Sequence, residues 1–147
     1  MVIIRKVRKS DIKGIVHVCY KTGYMGEDAT GHFSDEKLFG YLFSQYYPQH
    51  EPEHSFVAVD GDKIIGYILG SPDTIRQEKR YITRMVPKIM FRLFFITTLR
   101  FFKDFKNLLK TGIIATKYLK LPKNPKNMPR EEILEKYPAH LHIDILD

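Results

Sequence analysis

A single cysteine, Cys19, leaves the chain with no partner for an internal disulfide. Such sparing use fits a reducing compartment. The N-terminus, Met1-Val2-Ile3-Ile4-Arg5-Lys6, has no apolar core of the kind a secretory leader needs, so a cytoplasmic location is expected. Long apolar runs are also missing. The best candidate, Leu93 to Leu99, is enclosed by Arg92 and Arg100 and falls far short of the roughly 18 residues of a membrane span, so no integral membrane segment is expected. There is no Walker A loop, no G-x-G-x-x-G, no C-x-x-C, no H-E-x-x-H and no G-x-S-x-G. Acids are nearly absent from one segment: from Lys79 to Lys126 there are 13 Lys or Arg and one acid, Asp104. The rest of the chain holds 11 basic and 16 acidic residues, so the net charge of +7 belongs to that segment alone. No DNA- or RNA-binding motif accompanies it, and nucleic acid is not an expected partner.

What is present reads as one globular domain of 147 residues, 44% hydrophobic and 28% charged. Val2 to Val7 is predicted as a strand from its β-branched residues. Ser10-Asp11 starts a helix, and Ile12, Ile15, Val16 and Cys19 follow at helical spacing to about Tyr20. The loop from Gly23 to Gly31 places Tyr24, Glu27 and Asp28 where they face either a ligand or solvent. Ser34-Asp35-Glu36 opens a second helix, which Pro48 is expected to close. Gln49 to Glu53 reads as a polar linker. Then comes a hairpin: strand Ser55 to Val59, turn Asp60-Gly61-Asp62, strand Lys63 to Leu69, with Gly66 marking a bulge or a close backbone approach.

The basic stretch, residues 75–126, is predicted as a helical insertion. On a wheel over Pro87 to Lys110, Met90, Phe91, Phe94, Phe95, Phe101, Phe102, Phe105, Leu108 and Leu109 share one arc, and the Lys and Arg residues take the other. The aromatic arc either covers a core or binds an acyl group, a membrane surface or a partner helix. Thr97-Thr98 is a candidate junction between two helices, Gly112 a candidate end or bend, and Leu121 to Asn127 an extended loop. Pro129 suits the first position of a short helix with Glu131 and Glu132 in its opening turn, and Tyr137-Pro138 stops it.

The rest of the chain is organised around its last stretch, Ala139 to Asp147. As a strand it places His142, Asp144 and Leu146 on one face and Leu141, Ile143 and Ile145 on the other. Imidazole and carboxylate together on a half-buried face need a partner or a function. His140 and His142 also share a face, but no third ligand stands at a readable spacing, so no metal is expected.

The order strand, helix, loop, helix, hairpin, helical insert, strand, ending in Tyr137-Pro138-Ala139-His140-Leu141-His142-Ile143-Asp144, resembles the N-terminal part of the GNAT family of N-acetyltransferases. The closest resemblance is to bacterial members with a helical insert before the fourth strand. The hairpin Phe56 to Ile68 is similar to the family's as a whole. The resemblance implies an α/β (α+β) fold: a mixed, mainly antiparallel sheet flanked by helices, over a single domain 1–147 with 75–126 inserted and the chain stopping at the end of strand 4. It implies acetyl transfer from acetyl-CoA, as cosubstrate, to an amine of a small molecule or peptide. In the family a loop after the fourth strand binds the pyrophosphate at a helix N-terminus. Here that loop, the next helix, the fifth strand and the usual tyrosine acid would lie beyond Asp147. By resemblance, the backbone of Ile145 and Leu146 holds the cofactor arm, and Asp144 or His142 accepts the amine proton, directly or through water. Tyr24, Glu27 and Asp28 match the loop bordering the acceptor site. The alternative is a non-catalytic half-domain that binds a partner chain or a membrane surface through its terminal strand and basic aromatic helices. A homodimer or a complementing chain is left open.

Overall fold

Alternation of apolar and polar residues builds the sheet. In the computed structural model, which describes residues 1–95 and 130–146, β1 (Val2–Lys6), β2 (Ser55–Asp60), β3 (Lys63–Ser71) and β4 (His140–Ile145) lie side by side in chain order, every pair antiparallel. The β2–β3 turn closes over Gly61, whose φ of +57° only glycine adopts without strain. Ala58 pairs with Gly66 and Val59 with Ile64, which leaves Ile65 as the extra residue of a bulge. Gly66 serves the other expected purpose too: a Cβ there would sit 3.1 Å from the Asp144 carbonyl oxygen.

The core lies on one face of the sheet. Ser55, Val57, Tyr67 and Leu69 point to it from β2 and β3, and Ile15, Val18 and Cys19 meet them from α1 (Ile12–Thr22). α2 (Glu36–Phe43) adds Leu38 and Phe39. On the opposite face, Ile4, Phe56, Ile68, Leu141, Ile143 and Ile145 are exposed among the described residues, Ile4 by 73% and Ile145 by 66%. The register sets them in rows, such as Phe56–Ile68–Ile143.

Two expectations are corrected between α2 and β2. The second helix ends at Phe43 rather than at Pro48, because the N–H groups of Ser44 and Gln45 both turn to the Gly40 carbonyl. Pro48 lies inside α3 (Tyr46–His50), in a first turn that needs no N–H from it. Gln49 to Glu53 is not a solvated linker. Glu51 is fully buried, accepting a hydrogen bond from Tyr46 Oη at 2.9 Å, and residues Pro52–His54 form a 3-10 turn.

The insertion begins with α4 (Thr74–Arg84), capped by the Asp73 side chain, and α5 (Val86–Phe95). Both dock on α2. Tyr81 Oη donates to the Leu42 carbonyl at 3.0 Å, and Arg92 makes two 2.8 Å bonds to Asp35. Ile89 is the buried residue of α5, whereas Met90, Phe91 and Phe94 are exposed by 59%, 66% and 77%. The start of the aromatic arc therefore does not cover the core. The docking by Ile89 and Arg92 turns it outward. The rest of that arc, the Thr97-Thr98 junction, Gly112, the loop from Leu121 to Asn127 and Pro129 lie outside the described residues. α6 (Arg130–Lys136) carries Glu131 and Glu132 in its first turn, as expected. The Pro138 carbonyl accepts from Thr74 Oγ1 and Thr74 N, at 2.7 and 2.8 Å, which joins the start of β4 to α4. No helix among the described residues is long and apolar enough to cross a membrane.

One ion pair locks β1 to the entry of α1. Arg5 donates to both Asp11 carboxylate oxygens at 2.6 and 2.8 Å, and Arg8 N donates at 2.7 Å. The Arg5 bonds hold the Asp11 carboxyl below its ordinary value, against the opposing effect of burial. A carboxyl depressed in the folded state stabilises fully above its unfolded value of about 4, and the gain is lost as pH falls through the folded value. We expect Asp11→Asn to be less stable than the parent in urea unfolding at pH 7, with the gap smaller at pH 3, below the ordinary carboxylate value. An equal gap at both pH values would show that Asp11 acts without its charge.

Candidate active site

The face assignment of β4 decides which side chains meet. Its core-facing residues are His140, His142 and Asp144, set by register opposite Ser71, Leu69 and Tyr67 of β3. His140 is fully engaged: Tyr47 Oη lies 2.8 Å from its Nε2 and Thr74 Oγ1 2.8 Å from its Nδ1. Burial, and then the Glu51 charge, push the Tyr47 phenol up to about 12, so it stays a hydroxyl. His140 is thereby a structural tie between α3, α4 and β4.

His142 and Asp144 are different. His142 Nε2 lies 3.1 Å from Asp144 Oδ2, with the two side chains 34% and 21% exposed. Tyr67 Oη donates to the same carboxylate oxygen and sits 3.5 Å from His142 Nε2. Burial works to raise the Asp144 carboxyl, but bonds from His142 and Tyr67 outweigh it and hold the group below its ordinary value. Asp144 is therefore a carboxylate at neutral pH. A carboxylate at Nε2 favours the tautomer with the proton on Nε2 and leaves the Nδ1 lone pair as a proton acceptor. This is the arrangement by which an acid orients a histidine base.

The pair lines a cleft of about 260 Å³, together with Cys19, Thr22, Gly23, Met25, Gly26, Phe39 and Phe43. The loop after α1 thus borders the site, but through other residues than those expected from sequence. Tyr24 and Glu27 exchange backbone hydrogen bonds across a tight turn, with positive φ at Met25 and Gly26. The Tyr24 ring stacks on His32 at 3.4 Å between centroids. Asp28 caps a 3-10 turn by accepting from Thr30 N at 2.8 Å and pairs with Lys21 at 2.6 Å. The Lys21 bond, then those from Thr30, hold its carboxyl far below the usual range. Met25 and Gly26 line the cleft, whereas Tyr24, Glu27 and Asp28 do not.

The end of β4 offers main-chain groups. Leu146 N donates to the Ile65 carbonyl at 2.8 Å, so its donor is committed to the sheet. Antiparallel pairing alternates, and the N–H and C=O of Ile145, Ile143 and Leu141 consequently point away from β3, to an edge that no strand among the described residues covers. Of the two residues expected to hold a cofactor arm, Ile145 has its donor free of the β3 ladder.

Cys19 and Tyr67 were not singled out by sequence. Cys19 is 1% exposed, and burial pushes its thiol up to about 11. Burial, and then the neighbouring Cys19 and Asp144, hold the Tyr67 phenol far above its ordinary range, so it remains a donor. The only signal available was that both lie on core faces of their elements.

No protein-family model matches the chain. It is similar to a solved structure, that of SsHAT, an acetyltransferase, at 25% sequence identity and a TM-score of 0.68. The match covers 99% of this chain and 66% of that one, so the chain spans just under two thirds of the length of its structural relative. Four antiparallel strands in one sheet, with helices packed against it, and a histidine–carboxylate pair beside an open strand edge are thus carried on the fold of an acetyltransferase.

Proposed function

We propose that this chain carries the acceptor side of a GNAT-type N-acetyltransferase, in which acetyl-CoA acetylates an amine. The observation that carries the reading is the His142–Asp144 pair, 3.1 Å apart, lining a cleft next to the open edge of β4. The outward main chain of Ile145 and Ile143 suits the amide-rich arm of coenzyme A, which can be held by strand-like hydrogen bonds. Acetyl-CoA supplies the acyl group as a thioester. An ammonium cannot attack it, so the acceptor must lose a proton first. His142 Nδ1 takes that proton, directly or through one water, and Asp144 stabilises the imidazolium. The amine nitrogen then bonds to the acyl carbon, the carbon–sulfur bond breaks, and coenzyme A leaves as a thiolate that takes up the remaining surplus proton of the nitrogen. A main-chain N–H on β4 stabilises the developing oxyanion. Tyr67 is a positioning residue: it orients Asp144 and touches no substrate. Tyr24, Glu27 and Asp28 border the acceptor entrance from the next layer, with Glu27 and Asp28 its exposed acids.

A second reading is favoured by the exposed sheet face and the open β4 edge: a half-domain completed by another chain. Both readings are tested by the melting temperature of the chain titrated with acetyl-CoA. The acetyl-transfer reading expects a saturable rise, since a ligand at a hundred times its dissociation constant adds about 2.7 kcal/mol to stability. A cooperative melt that acetyl-CoA does not shift would favour the half-domain.

A further inference from the structure

The cleft holds one group that acetyl transfer does not use, the Cys19 thiol. It enters from α1, while His142 and Asp144 enter from β4. One ligand atom of each, the sulfur, an imidazole nitrogen and a carboxylate oxygen, lies within 4.8 Å of the other two. Zinc bonds of roughly 2.0–2.3 Å set tetrahedral ligand pairs about 3.3–3.6 Å apart. The His142 Nε2–Asp144 Oδ2 edge is already 3.1 Å, so the set closes with a shift of about 1 Å in the thiol or the ring. The carboxylate has the outer support that metal-bound carboxylates use, in its bond from Tyr67. Sequence spacing offered only His140 and His142 as ligands. The fold commits His140 elsewhere and brings in Cys19 from a residue number more than a hundred away.

The geometry points to a site in which Cys19, His142 and Asp144 bind a zinc-class divalent cation, with a fourth position open to the cleft. One thiolate, one imidazole and one carboxylate suit borderline-soft ions over magnesium or calcium. Occupancy takes the imidazole and the carboxylate out of proton transfer, so zinc inhibits. That consequence rests on the acetyl-transfer reading, whereas the binding itself does not.

The test is a cobalt(II) titration of the full chain without acetyl-CoA. Cys19 is the sole cysteine, so a near-ultraviolet thiolate-to-cobalt band can come from no other residue. The expected result is a band saturating at one equivalent, displaced by zinc and not by magnesium. It is lost in Cys19→Ser, and the affinity falls at least tenfold in Asp144→Asn. A second measurement uses the unaltered chain: zinc slows the reaction of Cys19 with an aromatic disulfide reagent at least tenfold, and a chelator restores it. A folded chain that shows no band and no zinc protection overturns the site. So does a band whose affinity is unchanged in both His142→Ala and Asp144→Asn. Because neither readout involves acetyl transfer, an inactive chain that binds zinc and an active chain that does not are separate outcomes.

Discussion

On the acetyl-transfer reading proposed above, Asp144→Asn is expected to lower the rate of acetyl transfer by about 10²–10⁴-fold, the usual worth of an oriented acid–base group. The variant keeps the shape of the side chain and removes the charge that fixes the His142 tautomer and stabilises the imidazolium. His142→Gln falls by a similar factor, and the double variant falls little further, because the two residues act as one unit. The Michaelis constant for acetyl-CoA changes little in either variant, since the cofactor arm is held by main chain. Tyr67→Phe separates positioning from catalysis. Its hydroxyl donates to the charged form of Asp144, and losing that bond raises the carboxyl's pKa. The loss at the optimum is then smaller than in Asp144→Asn and deepens at acid pH, where the carboxyl no longer held down by Tyr67 takes up its proton. Initial rates over a pH series check all three. Full activity in Asp144→Asn would remove the pair from the mechanism.

Leu69→Ala is the most damaging substitution expected outside the cleft. Leu69 is fully buried and lies on β3 directly across from His142. Truncation leaves a cavity under the strand pair and costs about 2–5 kcal/mol. For a chain of this size that is a fall of roughly 10 °C in melting temperature, measurable by circular dichroism. The cavity adjoins the strand segment that positions His142, so on the acetyl-transfer reading the rate is expected to fall even below the melting transition. A loss of less than 1 kcal/mol would mean that the sheet repacks at this point, and that the burial seen for Leu69 overstates its role.

Local pattern explains what could be read in advance. The period-2 alternation from Leu141 to Leu146 gave both faces of β4, and Asp60-Gly61 gave the hairpin. The helical spacing of Ile12 to Cys19 gave α1. These features depend on neighbours in sequence. The errors arose where a distant residue decides. Glu51 looked like a solvated linker acid, yet the Tyr46 hydroxyl draws it into the core. Pro48 looked like a helix stop, but the chain had already turned at Ser44 and restarted one residue before Tyr47. The candidate site was half legible. His142 and Asp144 stood together on one strand face, but Tyr67 and Cys19 reach them only through strand pairing and helix packing over long stretches of chain. The same distance hid the different fates of the two histidines: His140 is tied through both ring nitrogens, and His142 through one.

The most direct test of a site built on β4 follows backbone amide signals by nuclear magnetic resonance while acetyl-CoA is added. The Ile143 and Ile145 amides face the open edge and should shift and saturate together with the His142 ring. The Leu146 amide, bonded to the Ile65 carbonyl, should move less. Saturable shifts confined to other parts of the chain, with Ile143, Ile145 and His142 unmoved, would contradict the placement of the cofactor arm and the base on β4.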